Sequence, residues 1–133
     1  MKKIIFLIIL LFSISSSLKA ASFSWTKIVE TVGETTVFYI DRKTVFRFEK
    51  FKYYWQLSDY LKDYEEIRSV ITLNVINCNT QEQKILSFTG YSKNMAKGDI
   101  LTNATSNELE DTWDYYENDT AIGMLMKRVC NMR

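Results

Sequence analysis

The residues of this 133-residue chain with the most chemical reach are two cysteines, Cys78 and Cys130, and several grouped carboxylates. Glu65 with Glu66, Glu108 with Glu110 and Asp111, and Asp114 with Glu117 are close enough in sequence to work as an acid–base pair on a glycosidic bond or to share a cation. None has the Asp/Asn/Gly spacing of a calcium loop, and carboxylate runs of this kind ordinarily belong to solvated loops. Histidine is absent altogether. Its absence excludes Ser-His-Asp and Cys-His nucleophiles, an imidazole acid or base near neutral pH, and histidine metal ligands. The composition favours a protein that is not an enzyme and holds no cofactor or metal, leaving a carboxylate-dependent hydrolase as the catalytic alternative.

What the cysteines do depends on the compartment. Lys2 and Lys3 open the chain, Ile4 to Phe12 is an unbroken apolar run of nine residues, and Ser13 to Ala20 is small and mostly polar. This is the pattern of a cleavable signal peptide over residues 1–20. The run is far short of the roughly 20 apolar residues of a membrane span, and nothing in residues 21–133 approaches one. Cleavage is expected after Ala20, with Ala21 as the near alternative. No cysteine lies at this junction to accept a lipid. Residues 21–133 are then one soluble domain, periplasmic or secreted. Loss of Lys2, Lys3 and Lys19 takes the 17 basic residues to 14 against 16 acidic, a net charge of −2. Such a chain cannot neutralise a run of phosphates, so nucleic acid is not expected as a partner. In an exported chain a cysteine pair is expected to be oxidised.

The elements that must position these residues follow from periodicity. Strands are expected over residues 25–32, 36–41, 52–60, 67–78, 84–91 and 100–104. Val37, Phe38, Tyr39 and Ile40 put apolar side chains on both faces of the second, which therefore reads as buried on both sides. In the third, Tyr53, Trp55 and Leu57 share one face, and Tyr54, Gln56, Ser58 and Tyr60 the other. Asn79 to Glu82 reads as a hairpin turn, and Lys97-Gly98-Asp99 as the turn before the last strand. Near the end the period changes. Ile122, Leu125, Met126, Val129 and Cys130 form the stripe of one helical face. Asn118, Asp119 or Thr120 can cap that helix, and Lys127 and Arg128 suit its negative end. Gly123 weakens it by about 1 kcal/mol relative to alanine. Cys78 ends the longest strand and Cys130 lies on the apolar stripe, so a Cys78–Cys130 bond would tie helix to sheet, stabilising the fold by about 4 kcal/mol on the chain-entropy account.

Two groups of residues could form a binding surface. Arg42, Lys43, Arg47, Lys50 and Lys52 cluster between two strands with Phe46, Phe48 and Phe51 interleaved. Such a segment could meet an acidic protein or glycan, or its phenylalanines could pack inward and leave the charges merely solvated. Trp113, Tyr115 and Tyr116 form the second group, with Tyr53, Tyr54, Tyr60 and Tyr64 related to it by composition alone. Aromatic residues of this type serve interfaces and sheet cores alike.

Taken in order, Tyr39-Ile40-Asp41, Trp55 to Tyr60, Arg68-Ser69, Asn77-Cys78, Tyr91-Ser92, Met95 to Gly98, Trp113 and Val129-Cys130 make the chain resemble the surface-adhesin protein E domain of Gram-negative bacteria. The resemblance runs from about Trp25 to Cys130. It implies an α+β fold: an antiparallel sheet of about six strands with a C-terminal helix tied to one face by a disulfide. It further implies a non-catalytic binding module of the cell envelope, whose family role is to bind host matrix or plasma proteins such as vitronectin and laminin. A soluble periplasmic ligand-binding or inhibitor protein is the alternative. The signal-peptide reading has a direct test: intact-mass analysis of exported protein should find a chain beginning at Ala21, and a mature product that retains Met1 would refute it.

Overall fold

The computed structural model describes residues 22–31, 33, 35–62 and 66–133. The signal-peptide segment therefore lies outside the described residues, as do Tyr64 and Glu65. Eight strands form one antiparallel sheet: β1 (Trp25–Glu30), β2 (Thr36–Asp41), β3 (Phe46–Phe48), β4 (Phe51–Tyr60), β5 (Ser69–Asn77), β6 (Glu82–Lys93), β7 (Lys97–Thr105) and β8 (Asp114–Tyr115). One helix, α1 (Ala121–Cys130), follows. The order across the sheet is β1-β2-β4-β5-β6-β7, so the six expected strands form its spine. Two short strands are additional. β3 pairs with the first residues of β4, beyond the stretch that β2 occupies, and β8 does the same on β6 beyond β7. At three and two residues, neither is long enough to show an alternation in sequence.

Helix α1 covers one face of the sheet. Ile40, Tyr54 and Ile76 rise from β2, β4 and β5 to meet Leu125, Met126 and Val129, and all six are buried. Burying each such side chain fully stabilises the fold by about 1.5–3 kcal/mol. Of the three candidate caps, Thr120 serves: its backbone is extended and its hydroxyl accepts from the Gly123 N–H at 3.0 Å. Gly123 has a steric reason to be there. A Cβ at that position would lie 1.9 Å from the Glu117 carbonyl oxygen, so the chain can turn tightly into the helix only past a glycine. Cys78 and Cys130 are bonded, with Cα atoms 5.9 Å apart, and the bridge joins the residue after β5 to the last turn of α1.

The turn between β6 and β7 falls three residues earlier than the spacing suggests. It is Asn94-Met95-Ala96, and Lys97 already begins β7. Met95 and Ala96 both take left-handed backbone, with φ of 58° and 55°, which costs a residue with a Cβ about 1 kcal/mol or more. Buried side chains from other strands hold them there. Asp59 Oδ1 accepts from the Met95 N–H at 2.8 Å, and Ser69 Oγ accepts from the Ala96 N–H at 2.9 Å while donating to the Lys93 carbonyl. Gly98 sits inside the new strand because a Cβ there would come within 2.3 Å of Ser92 Oγ. No Cys–Cys spacing or turn propensity announces this knot, since its parts come from three strands.

The bridge closes a chain separation of 52 residues. A Cys130→Ser chain should lose about 2–5 kcal/mol of stability, seen as a clearly lower melting temperature. Peptide mapping without reductant should recover Cys78 and Cys130 linked, and two alkylatable thiols in native protein would contradict it.

Candidate functional site

The basic segment becomes a ribbon with two unlike faces. Cross-strand partners share a face, and the pairs are Phe46 with Tyr53, Arg47 with Lys52, and Phe48 with Phe51. The phenylalanines therefore point away from α1 and Arg47 points to its side. Phe46 stacks on Tyr53 at 4.8 Å between ring centroids. Phe51 stacks on Trp113 at 5.6 Å, which joins the two groups that the sequence left apart. Lys50 Nζ lies 5.3 Å from the Phe51 ring and Lys84 Nζ 5.4 Å from that of Trp113. The inward packing of the phenylalanines is not found at Phe46 and Phe48, which are 55% and 61% exposed. Arg42 and Lys43 sit in the turn before β3, which the buried Asp41 organises by accepting from the Lys43 N–H at 3.1 Å. Arg42, Lys43, Arg47 and Lys50 are all exposed.

Lys52 does not belong with them. It is 7% exposed and runs beneath the end of α1, where its ammonium donates to the carbonyls of Val129 and Cys130, each at 3.0 Å, and to that of Met132. Three protons thus meet three carbonyls at the negative end of the helix dipole, of which that of Val129 also accepts from the Met132 N–H at 3.1 Å. Burial lowers the Lys52 pKa below its ordinary value, and the Arg47 charge adds to that effect. The residue is a helix cap delivered by a strand, and the sequence reading of Lys52 as part of an exposed basic cluster is corrected accordingly. The physical reason is register: position 52 faces α1, as 54 and 56 do.

Arg42 instead joins cations from the helix. A groove of about 750 Å³ runs between β1 and α1, with Thr26 to Val29 on one wall and Met124, Lys127 and Arg128 on the other. Arg42 and Arg133 also line it, and no carboxylate side chain does. Lys27 is partly neutralised by Glu30, 2.5 Å away, whose hydrogen bond and charge raise the lysine pKa. β1 is an end strand of the sheet, so this groove follows an edge. Concave surfaces lined by one sign of charge concentrate the field that steers an oppositely charged partner.

The carboxylate groups fail to converge. Glu66, Glu108, Glu110, Asp111, Asp114 and Glu117 are exposed, and Glu65 lies outside the described residues. Asp111 pairs with Lys84, and Glu108 accepts from the Thr105 N–H at 2.9 Å, which are structural uses. Among the described residues no group of acidic or cysteine side chains could hold a metal ion, and no helix is long and apolar enough to cross a membrane.

The model of the surface-adhesin protein E family matches residues 25–131. The chain belongs to that family. No curated protein matches it. Among solved structures it is similar to Haemophilus influenzae protein E, with a TM-score of 0.56 and 14% identity, covering 84% of this chain and 86% of that one. At that identity the likeness is one of fold. The α+β architecture, an antiparallel sheet with a C-terminal helix tied to it by the Cys78–Cys130 bond, is the one that the resemblance implied. Several of the residues that carried the resemblance prove structural: Asp59, Arg68-Ser69 and Met95 to Gly98 meet at the β6–β7 knot, where Asn94 Oδ1 accepts from Arg68 and Asn94 Nδ2 donates to Asp59.

The position of Lys52 predicts a specific defect. Lys52→Met keeps the aliphatic stem but removes a charged donor from three carbonyls at the end of α1, so stability should fall by about 2–3 kcal/mol in denaturant unfolding. Arg47→Met, at an exposed position, should fall within about 0.5 kcal/mol of native. Equal effects of the two would show that Lys52 caps nothing.

Proposed function

We propose that the chain is an exported, non-catalytic binding module that engages an acidic segment of a partner protein, with the basic groove between β1 and α1 as the principal contact. The single observation that carries this is the groove itself: Arg42, Lys127 and Arg128 converge from a β-turn and a helix with no carboxylate side chain beside them. They do so in a domain whose net charge after loss of residues 1–20 is −2. Family membership in the surface adhesins supports protein binding at the cell surface, and a closed disulfide supports export. Host matrix or plasma proteins such as vitronectin and laminin are the partners that the family suggests. Arg47 and Lys50 extend the same positive region along the ribbon, and the exposed Phe46 and Phe48 offer an apolar rim on its far side.

Exposed charges steer encounter more than they hold a complex, so the signature is kinetic. In surface-plasmon measurements over immobilised vitronectin or laminin, Lys127→Glu/Arg128→Glu should slow association by about tenfold or more at low salt. Arg47→Glu/Lys50→Glu should slow it less, since those charges are not set in a groove. Both differences should shrink as salt rises past about 0.1 M, where the Debye length is about 10 Å. Association rates identical among native and variant domains at both salts would exclude the basic surface from binding.

A further inference from the structure

On the face that α1 covers, the sheet changes character beyond the start of the helix. Where Ile40, Tyr54 and Ile76 lie under α1 the surface is apolar, but the next positions along β4 and β5 are Gln56, Ser58, Thr72 and Asn74, with Gln83 beside them on β6. These five neutral polar side chains are between 1% and 7% exposed. A solvated sheet face would leave them open to water. Here Phe38, Phe88, Tyr116 and Ile122 stand around them as walls and leave a cavity of about 410 Å³. That is within the roughly 300–1,000 Å³ of small-molecule sites, which combine mostly apolar walls with a few convergent polar groups.

The hydrogen bonds on this floor are incomplete in a telling way. Tyr54 Oη donates to Gln83 Oε1 at 2.5 Å, Gln56 Nε2 donates to Ser58 Oγ at 3.0 Å, and Asn74 Nδ2 donates to Thr72 Oγ1 at 2.8 Å. Gln83 Nε2 and Asn74 Oδ1 make no hydrogen bond among the described residues, and the hydroxyl protons of Ser58 and Thr72 are likewise free to turn into the cavity. Neither amide atom is both sealed from solvent and without a partner, so both are open to a ligand entering the cavity. Donors and acceptors are both left over, and no acidic or basic side chain lines the space. Burial raises the pKa values of Tyr60 and Tyr116, so these phenols also remain neutral at physiological pH.

We propose that this cavity binds a short uncharged saccharide of one or two rings. A sugar ring carries hydroxyls that donate and accept in equal measure, matching the leftover amide and hydroxyl groups, and its C–H face suits the phenyl walls of Phe38 and Phe88. A carboxylate or an ammonium would enter without a counter-charge and lose its hydration, which the site would reject. This pocket lies on different residues from the basic groove and stands or falls separately from it.

Titration followed by NMR tests the proposal, reading the side-chain amide resonances of Gln56, Asn74 and Gln83. The probes are glucose, galactose, N-acetylglucosamine, maltose and chitobiose, with glucuronate and glucosamine as charged counterparts. A second arm presents the same neutral sugars at the ends of a soluble polymer, which separates a free sugar from a glycan terminus. At least one neutral sugar, in one form or the other, should shift these amides saturably. Gln83→Leu and Asn74→Leu should weaken that binding by about tenfold or more at a temperature where circular dichroism shows each variant folded, and Gln83→Leu should also lower the melting temperature because it removes the acceptor of the buried Tyr54 hydroxyl. Should either leucine chain fail to fold, the near-isosteric Thr72→Val supplies the same reading. No saturable shift with any neutral sugar in either form would overturn the proposal. So would binding that the substitutions leave unchanged, or charged sugars that bind as tightly as neutral ones.

Discussion

Helix α1 depends on the sheet for its existence, and much of the molecule is arranged around that dependence. Ten residues is below the roughly 12–15 at which an isolated helix becomes even marginal in water, and one of the ten is glycine. Four separate devices hold it in place. Thr120 satisfies the first turn, Leu125, Met126 and Val129 bury the apolar stripe, the disulfide fastens the last turn, and the Lys52 ammonium takes the final carbonyls. Two of these come from strands distant in sequence, so the helix end and the sheet are ordered together. The arrangement also explains why a lysine is tolerated with so little exposure: every proton of its ammonium has an acceptor.

The strict two-residue period of β-strands distributes function between the faces. On β3 and β4 it sends aromatic side chains one way and Arg47 with Lys52 the other, so a stretch that is mixed in sequence becomes segregated in space. The far face then gathers Phe46, Phe51, Tyr53 and Trp113 into stacked pairs, while the helix side gathers cations around the groove. On the same helix side the run Tyr54, Gln56, Ser58 passes from under α1 into the cavity beyond it. One strand thus contributes a cap, a core residue and a polar floor at successive alternate positions. Because α1 is short, it leaves part of the face it covers available for another use.

The sequence by itself determined the elements and their ties. A period of two marked the strands of the spine, a stripe at helical spacing marked α1, and the two cysteines had only each other as partners. These signals are local, because they depend on neighbours along one segment. The tertiary structure decided what lies above and beside each side chain. Lys52 and Arg47 are both basic residues on the helix side of their strands, yet one is buried beneath α1 and the other is in water. The β6–β7 turn moved three residues because Asp59 and Ser69 could hold Met95 and Ala96 in left-handed backbone. Gly123 looked like a weakness until the Glu117 carbonyl took the space of its Cβ. Gln56 and Ser58 could be assigned to a face from sequence, but their convergence with Thr72, Asn74 and Gln83 required the register of three strands. That register is set by the turns, by the apolar faces and by the helix laid across them, acting over tens of residues, and no window along the chain contains them all.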